Sequence, residues 1–145
     1  MQGSPTTPLL TSLLDVQDRN NEVVAHPHIE AHAQHVVDWA MQFDQPVLVP
    51  VGVAAQRLLG AVAPLAKGTL EIPLYGDRFD GRTALLVGAI AGSLIEFEAA
   101  AANVRRRGAN SVHACAIDVT HQVPTAALDS FTVLNAATST VRQSA

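Results

Sequence analysis

Residues 84–118 have the sequence ALLVGAIAGSLIEFEAAAANVRRRGANSVHACAID, and this stretch decides the fold. Its first part, ALLVGAI, is apolar and rich in branched side chains, which is typical of a strand buried on both faces. After a short loop at Ala91 and Gly92, Ser93 has the position of a helix N-cap, and Glu96 completes a capping box. The stretch therefore predicts a strand that leads directly into a helix.

The predicted helix has one apolar stripe and a well-marked end. The stripe has helical spacing and consists of Leu94, Phe97, Ala101 and Val104. Arginines at 105–107 suit the negative end of the helix dipole, and Gly108 suits a helix stop. A second strand, SVHACAID, follows. We expect a right-handed βαβ unit in which residues 85–89 form a central strand between the strands of Val47 and Val112.

The rest of the chain alternates helices with strands. We predict a helix at 28–43, a buried strand within 45–54, a helix at 55–66, an edge strand at 69–75, a polar loop at 76–82 and a last strand at 130–134. The second of these helices has an apolar stripe of Leu58, Leu59, Val62 and Leu65. This alternation predicts an α/β fold, a single-domain parallel sheet with helices on both faces.

Length, composition and charge exclude several classes of protein. The 145 residues suffice for one domain, which we assign to 9–135, with a mobile tail at 1–8 and a C-terminal tail at 136–145. A formal net charge of −4 argues against nucleic-acid binding. The single cysteine, Cys115, is expected in the core. No signal peptide or membrane span is recognisable, so we expect a soluble, cytoplasmic protein.

The central stretch resembles the signature of the type I phosphoribosyltransferases, which is roughly LLVDDVITTGATLEAAAEALRRAGA. Residues 85–109, LLVGAIAGSLIEFEAAAANVRRRGA, align with that signature without a gap. The preceding DGRTALLV is similar to the approach to the signature in the same family. The resemblance extends over most of the chain and implies the Rossmann-like fold of that family.

The resemblance also implies where a ligand would bind and which groups are missing. In the family, two acidic residues hold the ribose hydroxyls of phosphoribosyl pyrophosphate, and here Gly88 and Ala89 stand at their positions. The family's T-T-G-A-T turn wraps the 5′-phosphate, and here residues 92–96 stand at that turn with Ser93 as the only hydroxyl. The family's pyrophosphate loop corresponds to 51–55, where no cation precedes Arg57. The resemblance therefore implies the fold of the family with a degenerate phosphoribosyl-pyrophosphate motif.

From this resemblance we derive a set of candidate ligand-binding residues. In the family, a flexible loop closes over the substrate, and the corresponding segment here, residues 75–82, is short. Its two arginines, Arg78 and Arg82, either bind an anion or lie in a solvated turn. Gly88 and Gly92 match a dinucleotide fingerprint only in part, which is weak evidence. The candidates are Gly88, Ala89, Ala91, Gly92, Ser93, Arg78 and Arg82.

Three histidines, His28, His32 and His35, share one face of the first predicted helix. Histidines at such spacing can chelate zinc or nickel, but with no cysteine nearby we expect a polar or partner-facing surface and no metal cofactor. Trp39 continues the same face, and because tryptophan is enriched in interfaces we predict a homo-oligomer whose contact is Trp39 or the neighbouring histidine face.

Two hypotheses of function follow. The first is a phosphoribosyltransferase-like protein without catalysis, which acts as a small-ligand-binding, regulatory or structural subunit with a small-molecule or protein partner. The alternative is an active phosphoribosyltransferase, or another enzyme of nucleotide metabolism, with a divergent phosphate loop. Only the alternative implies a cofactor, magnesium bound with phosphoribosyl pyrophosphate. The missing acidic pair favours the first hypothesis, and we predict no catalytic residues.

Overall fold

The computed structural model describes residues 18, 21, 23–25, 28–73, 78–91, 94–119 and 127–134. The helices are α1 (His28–Ala40), α2 (Val53–Ala66) and α3 (Leu94–Arg106). The strands are β1 (Pro46–Pro50), β2 (Thr83–Ala91), β3 (Ser111–Val119) and β4 (Ser130–Val133). These strands form one parallel sheet in the order β1-β2-β3-β4.

The prediction of a central strand at 85–89 is confirmed. β2 lies between β1 and β3, with Leu85 opposite Leu48 on one side and opposite His113 on the other. Residues 84–90 are all buried, which explains why their apolar run shows no alternation. A strand with neighbours on both sides and helices on both faces has no solvated face for polar residues.

Helices cover both faces of the sheet, so the predicted α/β class is confirmed. α1 and α2 pack on the face to which Leu85, Val87 and Ile117 belong. α3 packs on the other face through Phe97 and Val104. Cys115 is fully buried among apolar side chains, as expected, and burial raises the pKa of its thiol well above its ordinary value.

Element ends differ from the prediction in ways that have local causes. α1 ends at Ala40 and not at residue 43, and a turn leads to Gln45, whose φ of 49° lies in the left-handed region. β1 ends at Pro50, which cannot donate to a ladder. In α2, Leu65 was expected in the apolar stripe but is 38% exposed, because it lies beyond the sheet-facing side.

The loop at 78–82 is more firmly packed than its polar sequence indicates. The amide of Phe79 donates to the carbonyl of Arg107 at 2.7 Å, and the amide of Gly81 donates to Gly108 at 3.1 Å. The Phe79 ring is 1% exposed, and the Arg107 guanidinium lies 4.4 Å from its centroid. The loop therefore pairs with the two residues that directly follow α3, and it fixes the chain where the helix ends.

The predicted edge strand at 69–75 is reduced to a single bridge in the described part of the segment. Glu71 pairs with Val47, and its carbonyl accepts the amide of Leu48 at 2.8 Å. Residues 74–77 lie outside the described residues. Among the described helices, none is long and apolar enough to cross a membrane.

Candidate functional site

The carboxyl ends of parallel strands meet at one edge of a sheet, which is where ligands bind in open α/β folds. Here that edge is formed by the ends of β1, β2, β3 and β4. Gly88, Ala89 and Ala91 lie in the last part of β2, at this edge. Gly92 and Ser93 lie outside the described residues, so the expected cap of α3 by Ser93 stays a prediction.

Gly88 has no room for a side chain. A Cβ built on Gly88 would lie 2.6 Å from Cζ of Phe97, a distance that real Cβ atoms do not show. Phe97 cannot easily give way, because it is 2% exposed and its ring packs edge-on against Phe131 with a centroid separation of 5.6 Å. The space at this position is therefore already filled by α3.

Ala89 points to the opposite face of the sheet. Its side chain is 3% exposed and belongs to the apolar cluster formed with α1 and α2. A carboxylate at this position would have to leave water for an apolar environment, which is costly unless the charge is paired. Neither of the two positions beside the strand end therefore offers a setting for an acidic side chain.

Asp118 is a carboxylate at this edge that the sequence analysis did not single out. It lies in β3 opposite Ile90 of β2, and its Oδ1 accepts the amide of Val119 at 2.8 Å. The sequence contains a signal for this position, because Asp118 follows the apolar residues of the predicted strand and therefore lies at its carboxyl end. Asp118 is half-buried, and part of its hydrogen-bonding capacity serves its own backbone.

The two helix N-termini at this edge differ in charge. α2 begins after Gly52, whose φ of 97° suits glycine, and among the described residues no side chain caps it and no acid lies in its first turn. α3 has the exposed Glu96 in its first turn, where its charge opposes an anion. The amides of the first turn of α2 are therefore the better donors for an anion.

Arg78 and Arg82 are not brought together with the other candidates. Arg82 directly precedes β2, at the amino edge of the sheet, and Gly88 lies six positions further along, about 20 Å away at about 3.3 Å per position. Its guanidinium donates to the carbonyl of Gln45 at 3.1 Å and pairs with Glu71 at 3.0 Å. Arg78 is exposed and pairs with Asp80 at 2.9 Å.

An open cleft of about 570 Å³ lies beside Arg82. It is lined by Gln45, Pro46, Gly68, Thr69, Leu70, Glu71 and Arg82. The cleft is therefore at the amino edge of β1 and β2, away from the carboxyl strand ends at which the sequence analysis placed most of the candidate ligand-binding residues.

The three histidines of α1 are close in space. The rings of His32 and His35 are 6.5 Å apart between centroids and lie edge-on. His28 and His35 are exposed, whereas His32 is half-buried. Burial lowers the pKa of His32, and the charges of His35 and His28 lower it further. Among the described residues, no group of three or more His, Cys, Asp or Glu side chains is arranged to hold a metal ion.

The expectation that Trp39 forms a surface contact is wrong. Trp39 is 5% exposed and belongs to the core between α1 and the sheet. Its ring packs edge-on against Phe43 at 5.3 Å, and Phe43 in turn lies 4.7 Å from the ring of His113. The buried face of α1 is formed by Ala33, Val36, Val37 and Ala40, and Trp39 lies beside it. The indole is large enough to reach the core from this position, which helical spacing alone does not reveal.

His113, which the sequence analysis did not single out, forms a pair with Ser130. Its Nδ1 lies 2.6 Å from the Ser130 hydroxyl on the neighbouring strand, directly opposite in register. Burial lowers the pKa of His113, while Asp129 raises it and Arg105 lowers it. The pair satisfies two half-buried polar groups between β3 and β4.

Comparisons with known proteins give a limited result. No protein-family model matches the chain, and no curated protein matches it. Eleven chains of solved structures are similar to it, among them a hypoxanthine-guanine-xanthine phosphoribosyltransferase. That enzyme shares 16% identity with a TM-score of 0.45, over 71% of this chain and 71% of its own. A likeness at this level does not bear on activity or substrate.

Proposed function

We propose that this chain is a phosphoribosyltransferase-like protein that does not transfer phosphoribosyl groups and that serves as a small-ligand-binding, regulatory or structural subunit. One observation carries the proposal. The place of the first acidic residue in the family motif is Gly88, and the Phe97 ring fills the space beside it. Position 88 has no carboxylate, and the Phe97 ring leaves no room for one.

The second acidic position supports the same conclusion. Ala89 is buried among apolar side chains, in the core under α1 and α2. Without carboxylates at 88 and 89, nothing at these positions would hold the ribose hydroxyls or magnesium-bound water. On the phosphate side, Glu96 puts negative charge in the first turn of α3 and repels an anion.

A small-ligand role draws support from the start of α2. Its first-turn amides have no side-chain cap among the described residues, and Val53 beside them is 67% exposed. Amides at a helix N-terminus suit small anions, and Arg57 lies one turn further on. The edge therefore keeps donors for a small anionic ligand while it lacks the groups for phosphoribosyl transfer.

The test is binding and turnover with phosphoribosyl pyrophosphate. A ligand at 100 times its dissociation constant stabilises a protein by about 2.7 kcal/mol. We expect no rise in thermal stability with millimolar phosphoribosyl pyrophosphate and magnesium, and no pyrophosphate release with purine or pyrimidine bases. Micromolar binding in calorimetry together with pyrophosphate release would refute the proposal and favour an active phosphoribosyltransferase.

A further inference from the structure

We propose that His32 and His35 of α1 bind one divalent transition-metal ion, of the class of copper, nickel or zinc. The two residues are three positions apart, so they are neighbours on the helix surface. Their ring centroids are 6.5 Å apart. The proposal concerns α1 alone and is independent of the carboxyl edge of the sheet.

The separation of the two rings is close to what a shared ion needs. Nitrogen–zinc distances of about 2.0–2.1 Å place the centres of two imidazoles bound to one ion about 5–6 Å apart. The observed 6.5 Å is slightly longer, so small rotations of the side chains bring both rings into range.

The surroundings of His32 leave one nitrogen for an ion. Its Nδ1 is buried and has no hydrogen-bond partner among the described residues, so Nε2 is the nitrogen that can bind. Burial and the neighbouring histidines lower the pKa of His32, which keeps the ring neutral and its lone pair available near neutral pH. His35 is exposed and can turn toward the same ion.

The ligand set determines the kind of ion. Two imidazoles and no third histidine, cysteine or carboxylate in the described residues leave the other coordination positions to water. Imidazole ligands favour copper, nickel and zinc over magnesium and calcium, and copper binds most tightly in this series. His28 lies one turn before His32 and is the rival second ligand.

The single tryptophan provides a direct readout. Trp39 lies four residues after His35 on the same helix, and copper or nickel bound near it should quench its fluorescence. We expect the full chain to bind one copper ion, more tightly than nickel or zinc. Calorimetry with zinc chloride checks the stoichiometry without relying on fluorescence.

Variants identify the ligands. We expect His32→Gln and His35→Gln each to weaken metal binding by at least about tenfold. Loss of a residue that only supports a metal ligand already lowers metal affinity about 10–100-fold, and loss of a ligand itself should cost no less. His28→Gln should change it less, and Glu30→Gln, an exposed charge elsewhere on α1, should leave it unchanged. Binding unchanged in the His32 and His35 variants, or a larger loss in the His28 variant than in the His35 variant, would overturn the assignment.

A measurement on the unmodified protein guards against variants that fail to fold. Substoichiometric nickel broadens the NMR signals of the side chains that bind it. We expect the imidazole signals of His32 and His35 to broaden first. If those of His26, His113 or His121 broaden first, the proposed site is wrong.

Discussion

At the scale of single residues, the contact between Gly88 and Phe97 is the feature with the clearest consequence. The residues belong to β2 and α3, and the ring lies where any Cβ at position 88 would be. Glycine is needed here for close approach and not for its backbone angle. Stability measurements can separate these two reasons.

We predict that Gly88→Ala destabilises the fold by about 1–3 kcal/mol, the usual cost of an overpacked core. Gly60→Ala is the matched control, because Gly60 lies within α2 with nothing within 4 Å of its built Cβ. That change should stabilise by about 0.5–1 kcal/mol through helix propensity. Urea unfolding measures both, and an equal effect at the two glycines would contradict the packing argument.

A second variant tests the same contact by coupling. Phe97→Leu removes the ring atoms that oppose a methyl group at position 88. The double variant Gly88→Ala with Phe97→Leu should therefore be less destabilised than the sum of the single changes. Strict additivity would show that the methyl group is accommodated in another way.

The half-buried histidines predict a pH dependence. The pKa values of His32 and His113 are both lowered in the fold, in each case chiefly by burial. In the unfolded chain these histidines have the ordinary pKa of about 6.5, so near that pH the unfolded state binds more protons than the folded state. The free energy of unfolding should therefore fall as the pH drops below about 6.5. Urea midpoints at pH 7.5 and 5.5 should differ more in the unmodified protein than in a variant with glutamine at both positions.

At the scale of elements, the loop at 78–82 connects the start of β2 to the end of α3. The backbone of Phe79 and Gly81 occupies carbonyls of Arg107 and Gly108, and the Phe79 ring lies in the core. Gly108 has a φ of 101°, and Asp80 lies against it, so the helix end and the loop fit each other closely.

We predict that Phe79→Ala costs about 3–5 kcal/mol, as is usual for a fully buried phenylalanine. Arg78→Ala, one residue earlier and exposed with its partner Asp80, should leave stability nearly unchanged, because solvent screens an exposed ion pair. Thermal unfolding followed by circular dichroism compares them. A small loss in the Phe79 variant would mean that the loop does not stabilise the end of α3.

The elements themselves were largely predictable from the sequence. The run at 84–90 indicated a doubly buried strand because no polar residue interrupts it, and the last strand followed from SFTVL. The contact between residues 88 and 97 was not predictable, because it depends on the distance and orientation with which α3 packs against β2. The exposure of Trp39 was misjudged for a related reason, because the long side chain reaches the core from a position beside the buried face of α1.

At the scale of the whole molecule, the burial of Trp39 removes one of the two contacts predicted for self-association and leaves the histidine face of α1 as the other. Two other apolar side chains are well exposed at the carboxyl edge, Val53 at 67% and Ile95 at 73%. They lie at the starts of α2 and α3. We now expect any self-association to involve this edge.

Glutamate at positions 53 and 95 tests that expectation without harming the helices, because acids suit the first turn. We predict that light scattering at high micromolar concentration shows an oligomer for the unmodified protein and a monomer for the Val53→Glu, Ile95→Glu variant. Met41→Gln is the control, since Met41 is 55% exposed and follows α1. A monomeric unmodified protein, or an oligomer that persists in the double variant, would contradict the prediction.

The ring of Phe97 beside Gly88 also constrains the order in which the sequence can change. An aspartate introduced first at position 88 meets the ring and is selected against for stability, whatever it would contribute to a ligand. A smaller residue at 97 must come first, and alone it leaves a cavity in the core with no benefit. Introduction of an acidic residue at position 88 therefore costs stability whichever of the two positions changes first, so Phe97 restricts position 88 to glycine.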